Sequence, residues 1–124
     1  SQSGDLLKHC AHCGWSRVAL TGKSDLTEII ILSATEINIE LAGIIDAEAA
    51  ASTSTYMNLP VVSKLSKLGT LHALVITDME KPQKTFDEAV KFFPRDHILT
   101  VPLLGVNRER TERTSNTTYS PEDV

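Results

Sequence analysis

Aromatic side chains are scarce in this chain: phenylalanine, tyrosine and tryptophan together make up 5% of its 124 residues. Valine, isoleucine, leucine and alanine fill its apolar runs instead. Such aliphatic runs are typical of parallel strands that are buried on both faces of a sheet. The composition therefore favours a parallel sheet over a β-sandwich.

Several other features are missing, and each excludes a class of protein. Two cysteines are too few for a disulfide framework. The net charge of −4, with scattered Lys and Arg, argues against nucleic-acid binding through a basic face. No apolar run approaches the ~20 residues that span a bilayer, and the N-terminus lacks a signal-peptide pattern. We therefore expect a cytoplasmic protein with no direct nucleic-acid contact by this segment and no membrane contact.

The length suits one domain with a proper hydrophobic core. We place this domain at residues 1–106, because the chain becomes polar and charged from about Asn107 onward. Residues 107–124 are predicted to be a tail, either mobile or laid over a neighbour. The opening Ser-Gln-Ser-Gly is untypical of a natural start, so we expect the chain to be a piece of a longer protein.

Short apolar runs alternate with helical patterns along the chain, which predicts an α/β fold. The expected architecture is a three-layer, Rossmann-like domain of about five mainly parallel strands in the order 3-2-1-4-5, with helices on both faces. We expect the third strand at an edge, since Pro60 cannot donate a ladder hydrogen bond. The predicted strands lie at about 17–21, 39–46, 59–62, 72–78 and 97–101, the predicted helices at about 5–14, 24–36, 64–68 and 82–93, and a loop or broken turn at 47–58.

The first strand ends in Gly22-Lys23-Ser24, and a helical pattern follows directly. In α/β folds such a turn usually holds a phosphate or another anion, because backbone N–H groups and the helix dipole point at it. Of the dinucleotide fingerprint G-x-G-x-x-G only Gly22 is present, with Ser24 and Thr27 at the other two positions. The alternatives are an anion or nucleotide site and a plain turn, and Lys23 is either a charge for the anion or a solvated lysine.

The same turn does not match a P-loop. That motif needs a glycine five residues before its Gly-Lys pair, where this chain has Arg17.

The helix that follows this turn is strongly apolar. Its predicted inward face consists of Leu26, Ile29, Ile30 and Ala34, and we expect the helix to be covered on more than one side. Ser24 or Asp25 is the expected cap of this helix, with Glu28 as the partner of a capping box.

Three further polar residues are predicted at the same edge of the sheet. Asp46 ends the second strand 24 residues after Gly22, near the position where an acid binds a ribose. Thr77 and Asp78 end the fourth strand, at the carboxyl edge where open α/β folds bind ligands. Turn formation is the alternative role for Asp46, and capping before Pro82 is the alternative for Thr77 and Asp78.

The segment His9-Cys10-Ala11-His12-Cys13 combines histidines with a Cys-x-x-Cys spacing. A structural zinc site needs four ligands, and no second Cys or His pair exists, so no metal site is predicted. A thioredoxin-type Cys-x-x-Cys begins a helix after a strand, whereas this one lies at the end of a helix before a strand. Helical spacing favours both sulfurs on a buried stripe as small hydrophobic groups. Redox sensing and metal binding are the alternatives.

Five stretches carry a resemblance to known domains: Arg17–Gly22, Asp25–Ile29, Leu41–Asp46, Leu59–Val61 and Ala73–Asp78. Their order and spacing over about residues 5–105 resemble the Rossmann-like domains at the N-terminus of bacterial sugar acetyltransferases of the left-handed β-helix kind. They also resemble the domains that follow winged-helix modules in some bacterial regulators. In those domains the turn usually reads Gly-x-Gly, whereas Ser24 stands at the second glycine here. The acetyltransferases' catalytic histidine lies in the β-helix, so the resemblance implies a sensing or accessory domain.

These observations lead to one main hypothesis and two alternatives. No nucleophile–base–acid set can be assembled from the sequence, so no catalytic residue is predicted. We expect a ligand-sensing or regulatory domain, of a transcriptional regulator for example, that binds a small anionic or nucleotide-type ligand. A nucleotide or dinucleotide is the cofactor that this site type suggests, and a homodimer is left open. The alternatives are an accessory substrate-binding domain of a sugar-modifying acetyltransferase and a protein-interaction domain with a decayed pocket. The predicted ligand-binding residues are Gly22, Lys23, Ser24, Asp46, Thr77 and Asp78.

Overall fold

A computed structural model describes residues 1–49 and 54–109 of the chain. Helices and strands alternate through most of this part, which confirms the α/β class. Three short 3-10 helices, Leu65–Leu68, Arg95–His97 and Pro102–Leu104, lie in the connections. In chain order the main elements are α1 (Gln2–His12), β1 (Arg17–Thr21), α2 (Asp25–Ala34), β2 (Glu40–Ile45), β3 (Ser54–Tyr56), β4 (Leu59–Val62), β5 (Ala73–Ile76), α3 (Pro82–Ala89) and β6 (Ile98–Leu99).

The six strands form one sheet in the order β3-β4-β2-β1-β5-β6. All neighbouring pairs are parallel except β3 and β4, which are antiparallel, so the prediction of a mainly parallel sheet is confirmed. The register between β1 and β2 shifts once, since Val18 lies opposite Leu41 while Ala19 lies opposite Gly43. β1 is therefore a central strand, with β2 on one side and β5 on the other.

The prediction that β4 lies at an edge because of Pro60 is wrong. β3 covers that side of β4, and the two strands are joined by a hairpin whose two turn residues, Met57 and Asn58, have φ values of +49° and +69°. Positive φ at both positions is what a type I′ hairpin turn requires. Residues 54–56 therefore form a strand within the stretch predicted as a loop, while residues 50–53 lie outside the described part.

Helices cover both faces of the sheet. Leu7 and Cys10 of α1 and Ile30 of α2 pack with Val18 and Leu20 on one face. Phe86 of α3 and Leu68 of the 3-10 helix pack with alternate strand residues such as Ala19, Leu74 and Ile76 on the other. Because successive side chains of a strand point to opposite faces, β1 and β5 contribute to both clusters. The core is thus split in two by the sheet.

The outer side of α2 differs from the prediction. Leu26, Ile30 and Ala34 are buried as expected, but Ile29 is 51% and Leu32 is 56% exposed. Within the described residues, α2 therefore packs on the sheet and α1 and leaves an apolar outer face. None of the helices in residues 1–49 and 54–109 is long and apolar enough to cross a membrane.

The start of the predicted tail packs against α3. Asn107 exchanges two hydrogen bonds with the Gln83 side chain, at 2.7 and 3.1 Å. The Arg108 guanidinium lies 5.3 Å from the centre of the Phe86 ring. Residues 107–109 thus belong with the folded part, and residues 110–124 of the predicted tail lie outside the described residues.

Candidate functional site

The six predicted ligand-binding residues lie together at the carboxyl edge of the sheet. They follow β1, β2 and β5, which are adjacent and parallel. Direct contacts link the ends of these three strands: the Gly22 amide donates to the Ile45 carbonyl at 2.9 Å, the Lys23 ammonium lies 3.8 Å from the Asp46 carboxylate, and the Ser24 hydroxyl donates to the Thr77 carbonyl at 2.5 Å. We call this set of residues the carboxyl-edge site.

Gly22 lets the turn after β1 approach the turn after β5. Its φ is +100°, and a Cβ placed on it would lie 2.8 Å from Cβ and 2.9 Å from Cα of Asp78. Any side chain at this position would therefore meet backbone as well as the Asp78 side chain, and the backbone conformation would also be strained. The two turns fit together only with glycine here.

Ser24 occupies the N-terminus of α2 with its own side chain. Its Oγ accepts hydrogen bonds from the amides of Leu26 at 3.1 Å and Thr27 at 3.4 Å. The Thr27 hydroxyl accepts from the Ser24 amide at 3.0 Å and donates to the Gly22 carbonyl at 2.7 Å. This is a capping box with Thr27 as its second member, so the prediction of Glu28 in that role is wrong. A hydroxyl oxygen thus takes the place at these amides that a phosphate oxygen takes in a dinucleotide loop.

Thr77 holds the same turn from the side of β5. The residue is fully buried. Its amide donates to the Thr21 carbonyl at 3.0 Å, and its hydroxyl lies 2.9 Å from the Thr21 carbonyl oxygen and 2.7 Å from that of Gly22. The side chain therefore stabilises the turn from inside, and its polar atoms are directed away from solvent.

Lys23 and Asp46 are the accessible charged pair of the carboxyl-edge site. The Lys23 side chain is 45% and the Asp46 side chain 27% exposed. One Asp46 oxygen accepts from the Glu48 amide at 3.1 Å in a local turn, and the other faces Lys23. An ion pair exposed to this degree contributes little to stability, commonly 0 to ~1 kcal/mol. A ligand can therefore replace either side chain as the other's partner at a small cost in stability.

Asp78 serves the turn that leads into α3. Its carboxylate accepts from the Glu80 amide at 2.9 Å, the Lys81 amide at 3.4 Å and the Thr85 hydroxyl at 2.6 Å. Partial burial raises the pKa of this carboxyl, but the hydrogen bonds from Thr85, Glu80 and Lys81 and the charge of Lys81 outweigh it, so the pKa lies below its usual value. Asp78 is therefore an ionised group whose acceptor sites are largely used within its own turn.

The histidine–cysteine segment lies elsewhere, on α1. Cys10 is buried, as predicted, but Cys13 is exposed, so the prediction that both sulfurs lie on a buried stripe is wrong for Cys13. Cys13 is the C-cap residue of α1, and the chain leaves the helix there through Gly14 with φ +77°. Within residues 1–49 and 54–109 no group of three His, Cys, Asp or Glu side chains is placed to hold a metal ion.

An open cleft of about 480 Å³ lies away from the carboxyl-edge site and contains none of the six predicted residues. It runs between the N-terminal half of α1 and the segment around β6, and its charged side chains are those of Asp5, Asp96 and Arg108. Sequence reasoning missed this cleft because its walls come from the two ends of the described chain and from no local motif.

Sequence reasoning also missed the roles of Thr27 and Thr85. Thr27 stands three residues after Ser24, which is the spacing of a capping box, so a signal for it was present. Thr85 stands seven residues after Asp78, and no local pattern links the two. Comparison of the chain with protein-family models gave no match, and comparison with curated proteins found none of significant similarity.

Proposed function

We propose that this chain is a non-catalytic, Rossmann-like regulatory domain that binds a small ligand at the carboxyl-edge site, on Lys23 and Asp46. The observation that carries the proposal is the convergence of three turns, after β1, β2 and β5, on one accessible pair of opposite charges. In open α/β sheets the crevice at which the strand order reverses is the usual place for a ligand. β1 lies at that reversal, between β2 and β5.

The arrangement of the parallel strands supports the Rossmann-like assignment. Apart from β3, the strands follow one another as β4-β2-β1-β5-β6, which corresponds to the order 3-2-1-4-5 of a Rossmann-like half-unit. α2 lies between β1 and β2 in sequence and packs on one face, while Leu68 of the connection from β4 to β5 packs on the other. The connection changes face on passing from one side of β1 to the other, which is the topology of a doubly wound sheet.

The side chains at the site limit the class of ligand. Because Ser24 uses the Leu26 and Thr27 amides, a pyrophosphate cannot be held there as in an intact dinucleotide loop without displacing the capping hydroxyl. An anionic group would instead meet the Lys23 ammonium, and hydroxyl groups would donate to the Asp46 carboxylate. A sugar phosphate or a mononucleotide combines both groups, and we propose this class of ligand.

A sensing role suits the site better than catalysis. The one hydroxyl nucleophile at its centre, that of Ser24, donates to the Thr77 carbonyl and not to a base. Thr77 is buried, and the Asp78 carboxylate is engaged by two amides and a hydroxyl. The accessible groups can bind and orient a ligand. In a larger protein, such as a transcriptional regulator, the turns that precede α2 and α3 and meet at the site would respond to ligand binding.

The test is a thermal-shift screen with sugar phosphates, mononucleotides, sugar nucleotides and coenzyme A. A ligand at 100 times its Kd stabilises the protein by about 2.7 kcal/mol, which is several degrees in Tm for a domain of this size. We expect a shift with a phosphorylated sugar or mononucleotide that is lost in Lys23→Ala and in Asp46→Asn. Lys67→Ala is the matched control, because Lys67 is exposed and lies beside Leu68 at the opposite edge of the sheet. The absence of a shift with every compound would refute the proposal.

A protein-interaction role is the second candidate, and the exposed outer face of α2 favours it. Ile29 and Leu32 are more than half exposed on adjacent turns of this helix. Their burial in a homodimer would explain why α2 is apolar on the side that does not face the sheet. Sedimentation of the chain over a range of concentrations separates the two roles, since a monomer at every concentration removes the homodimer.

A further inference from the structure

The last turn of α1 places two cysteines and a histidine next to each other. Cys13 Sγ lies 3.6 Å from Nε2 of His9 on the exposed side of the helix end. Cys10, three residues before Cys13, is fully buried and packs in the core with Leu7 and Val18. The two cysteines thus share one helix end but have opposite environments.

The spacing of the two cysteines suits a disulfide. In an α-helix, residues three apart have Cα atoms roughly 5 Å apart, which lies within the range of about 4.4–6.8 Å found in disulfides. Cys13 is the cap residue, and Gly14 follows it with φ +77° and no atom near its would-be Cβ. A backbone shift that accompanies a bond between the two sulfurs would therefore fall at the end of the helix and not in its middle.

The environments of the thiols assign them different roles. Cys13 is exposed, and its Sγ lies within hydrogen-bonding distance of Nε2 of His9. Burial, and the proximity of Cys13, raise the pKa of the Cys10 thiol to about 11, so that Cys10 stays protonated at neutral pH. A small oxidant therefore reaches and oxidises Cys13 first, because the thiolate is the nucleophile and Cys10 offers neither access nor thiolate.

We propose that Cys10 and Cys13 are a redox pair that a peroxide converts into a disulfide within α1. The Cys13 thiol attacks one oxygen of the peroxide, the O–O bond breaks, and Cys13 becomes a sulfenic acid as water leaves. The Cys10 thiol then displaces the hydroxyl group from the Cys13 sulfur and a second water leaves. Two thiols and one hydrogen peroxide thus give one disulfide and two water molecules.

The disulfide changes the packing around the only tryptophan. Trp15 donates its amide to the Cys10 carbonyl at 2.9 Å. Its ring lies 4.3 Å from the His97 ring and 5.6 Å from the His9 ring, measured between centroids. To bond to Cys13, the Cys10 sulfur must leave its position in the hydrophobic core. The oxidation is therefore read out by Trp15 fluorescence, independently of any ligand at the carboxyl-edge site.

The experiment is a titration of the 124-residue chain with hydrogen peroxide at neutral pH. We expect both thiols to disappear together, the intact mass of the monomer to fall by two hydrogens, and Trp15 fluorescence to change in step. A dithiol reductant should reverse all three changes. A Cys13–Cys13 dimer, or a sulfinic acid at Cys13 with Cys10 still free, would overturn the proposal.

Variants assign the order of events. Cys10→Ala should leave the sulfenic acid on Cys13, which a 1,3-diketone reagent traps as an adduct, and Cys13→Ser should lose the oxidation of thiols by peroxide. His9→Gln should slow the first step by about tenfold, since the Cys13 sulfur loses the imidazole nitrogen that lies 3.6 Å from it. His12→Gln is its matched control, an exposed histidine of the same helix turn. Equal rates for the two histidine variants would remove His9 from the mechanism.

Discussion

At the scale of single residues, Gly22 shows that a sequence signal can locate a turn without showing why the turn requires glycine. The sequence predicts a tight turn after β1 with Gly22 as the first glycine of the dinucleotide fingerprint. In the structure it is the backbone of Asp78 that occupies the space next to its Cα. Glycine is therefore required here by a close contact between two turns of the same chain. A sequence pattern cannot distinguish such a contact from the close approach of a ligand.

Gly22→Ala should destabilise the fold by about 2–4 kcal/mol, because the strain of a positive φ adds to a steric clash with backbone. Gly105→Ala is the matched control: Gly105 also has a positive φ, +63°, but nothing lies within 4 Å of its would-be Cβ. That variant should lose only the conformational part, about 1 kcal/mol. Urea unfolding of both variants gives the comparison, and equal losses would contradict the close contact with Asp78.

At the scale of elements, the segments with clear apolar runs or helical periods were predictable, and β3 was not. The four central strands were found from their apolar runs, and α2 was found from Gly22, the Ser24 cap and the apolar period that follows. β3 was missed because its sequence, Ser-Thr-Tyr, is not an apolar run and because Met57-Asn58 is not a typical hairpin turn sequence. The exposure of Ile29 and Leu32 was missed because periodicity shows an apolar side without showing what covers it.

Ser24→Ala should cost about 1–2 kcal/mol in the free energy of unfolding, since the hydroxyl caps two amides of α2 and donates to the Thr77 carbonyl. Ser33→Ala, later in the same helix, is the control and should be neutral or slightly stabilising, because alanine is the better helix former. Chemical denaturation of the two variants measures the difference. If Ser24→Ala were as stable as Ser33→Ala, the capping role of Ser24 would be refuted.

At the scale of the whole molecule, the two proposed sites lie at opposite ends of the sheet. The carboxyl-edge site lies where β1, β2 and β5 end, whereas Cys13, Gly14 and Trp15 lead from α1 into the start of β1. The edge itself was predictable, because parallel strands that alternate with helices must all end on one side. What was not predictable is that the Ser24 hydroxyl donates to the Thr77 carbonyl and that the Thr77 hydroxyl contacts the Thr21 and Gly22 carbonyls, since these contacts join segments more than 50 residues apart in sequence.

The stability of the fold depends on pH through Asp78, whose carboxylate links the end of β5 to the start of α3. Its pKa in the folded protein lies below the usual value for an aspartate, ~3.9. The unfolded chain therefore takes up a proton first as the pH falls, and the stability that ionised Asp78 contributes is present above about pH 4 and is lost below it, as the pH passes through the folded pKa.

Asp78→Asn should therefore be less stable than the natural chain at pH 7, by about 1–2 kcal/mol for the weakened hydrogen bonds to Thr85 and the Glu80 and Lys81 amides. This difference should shrink as the pH is lowered from 5 and vanish once Asp78 itself is protonated in the folded protein. Glu80→Gln removes a neighbouring exposed charge and is the matched control. Urea unfolding at a series of pH values from 7 downward tests this. A difference for Asp78→Asn that stays constant with pH would show that its carboxylate does not hold the turn between β5 and α3 through its charge.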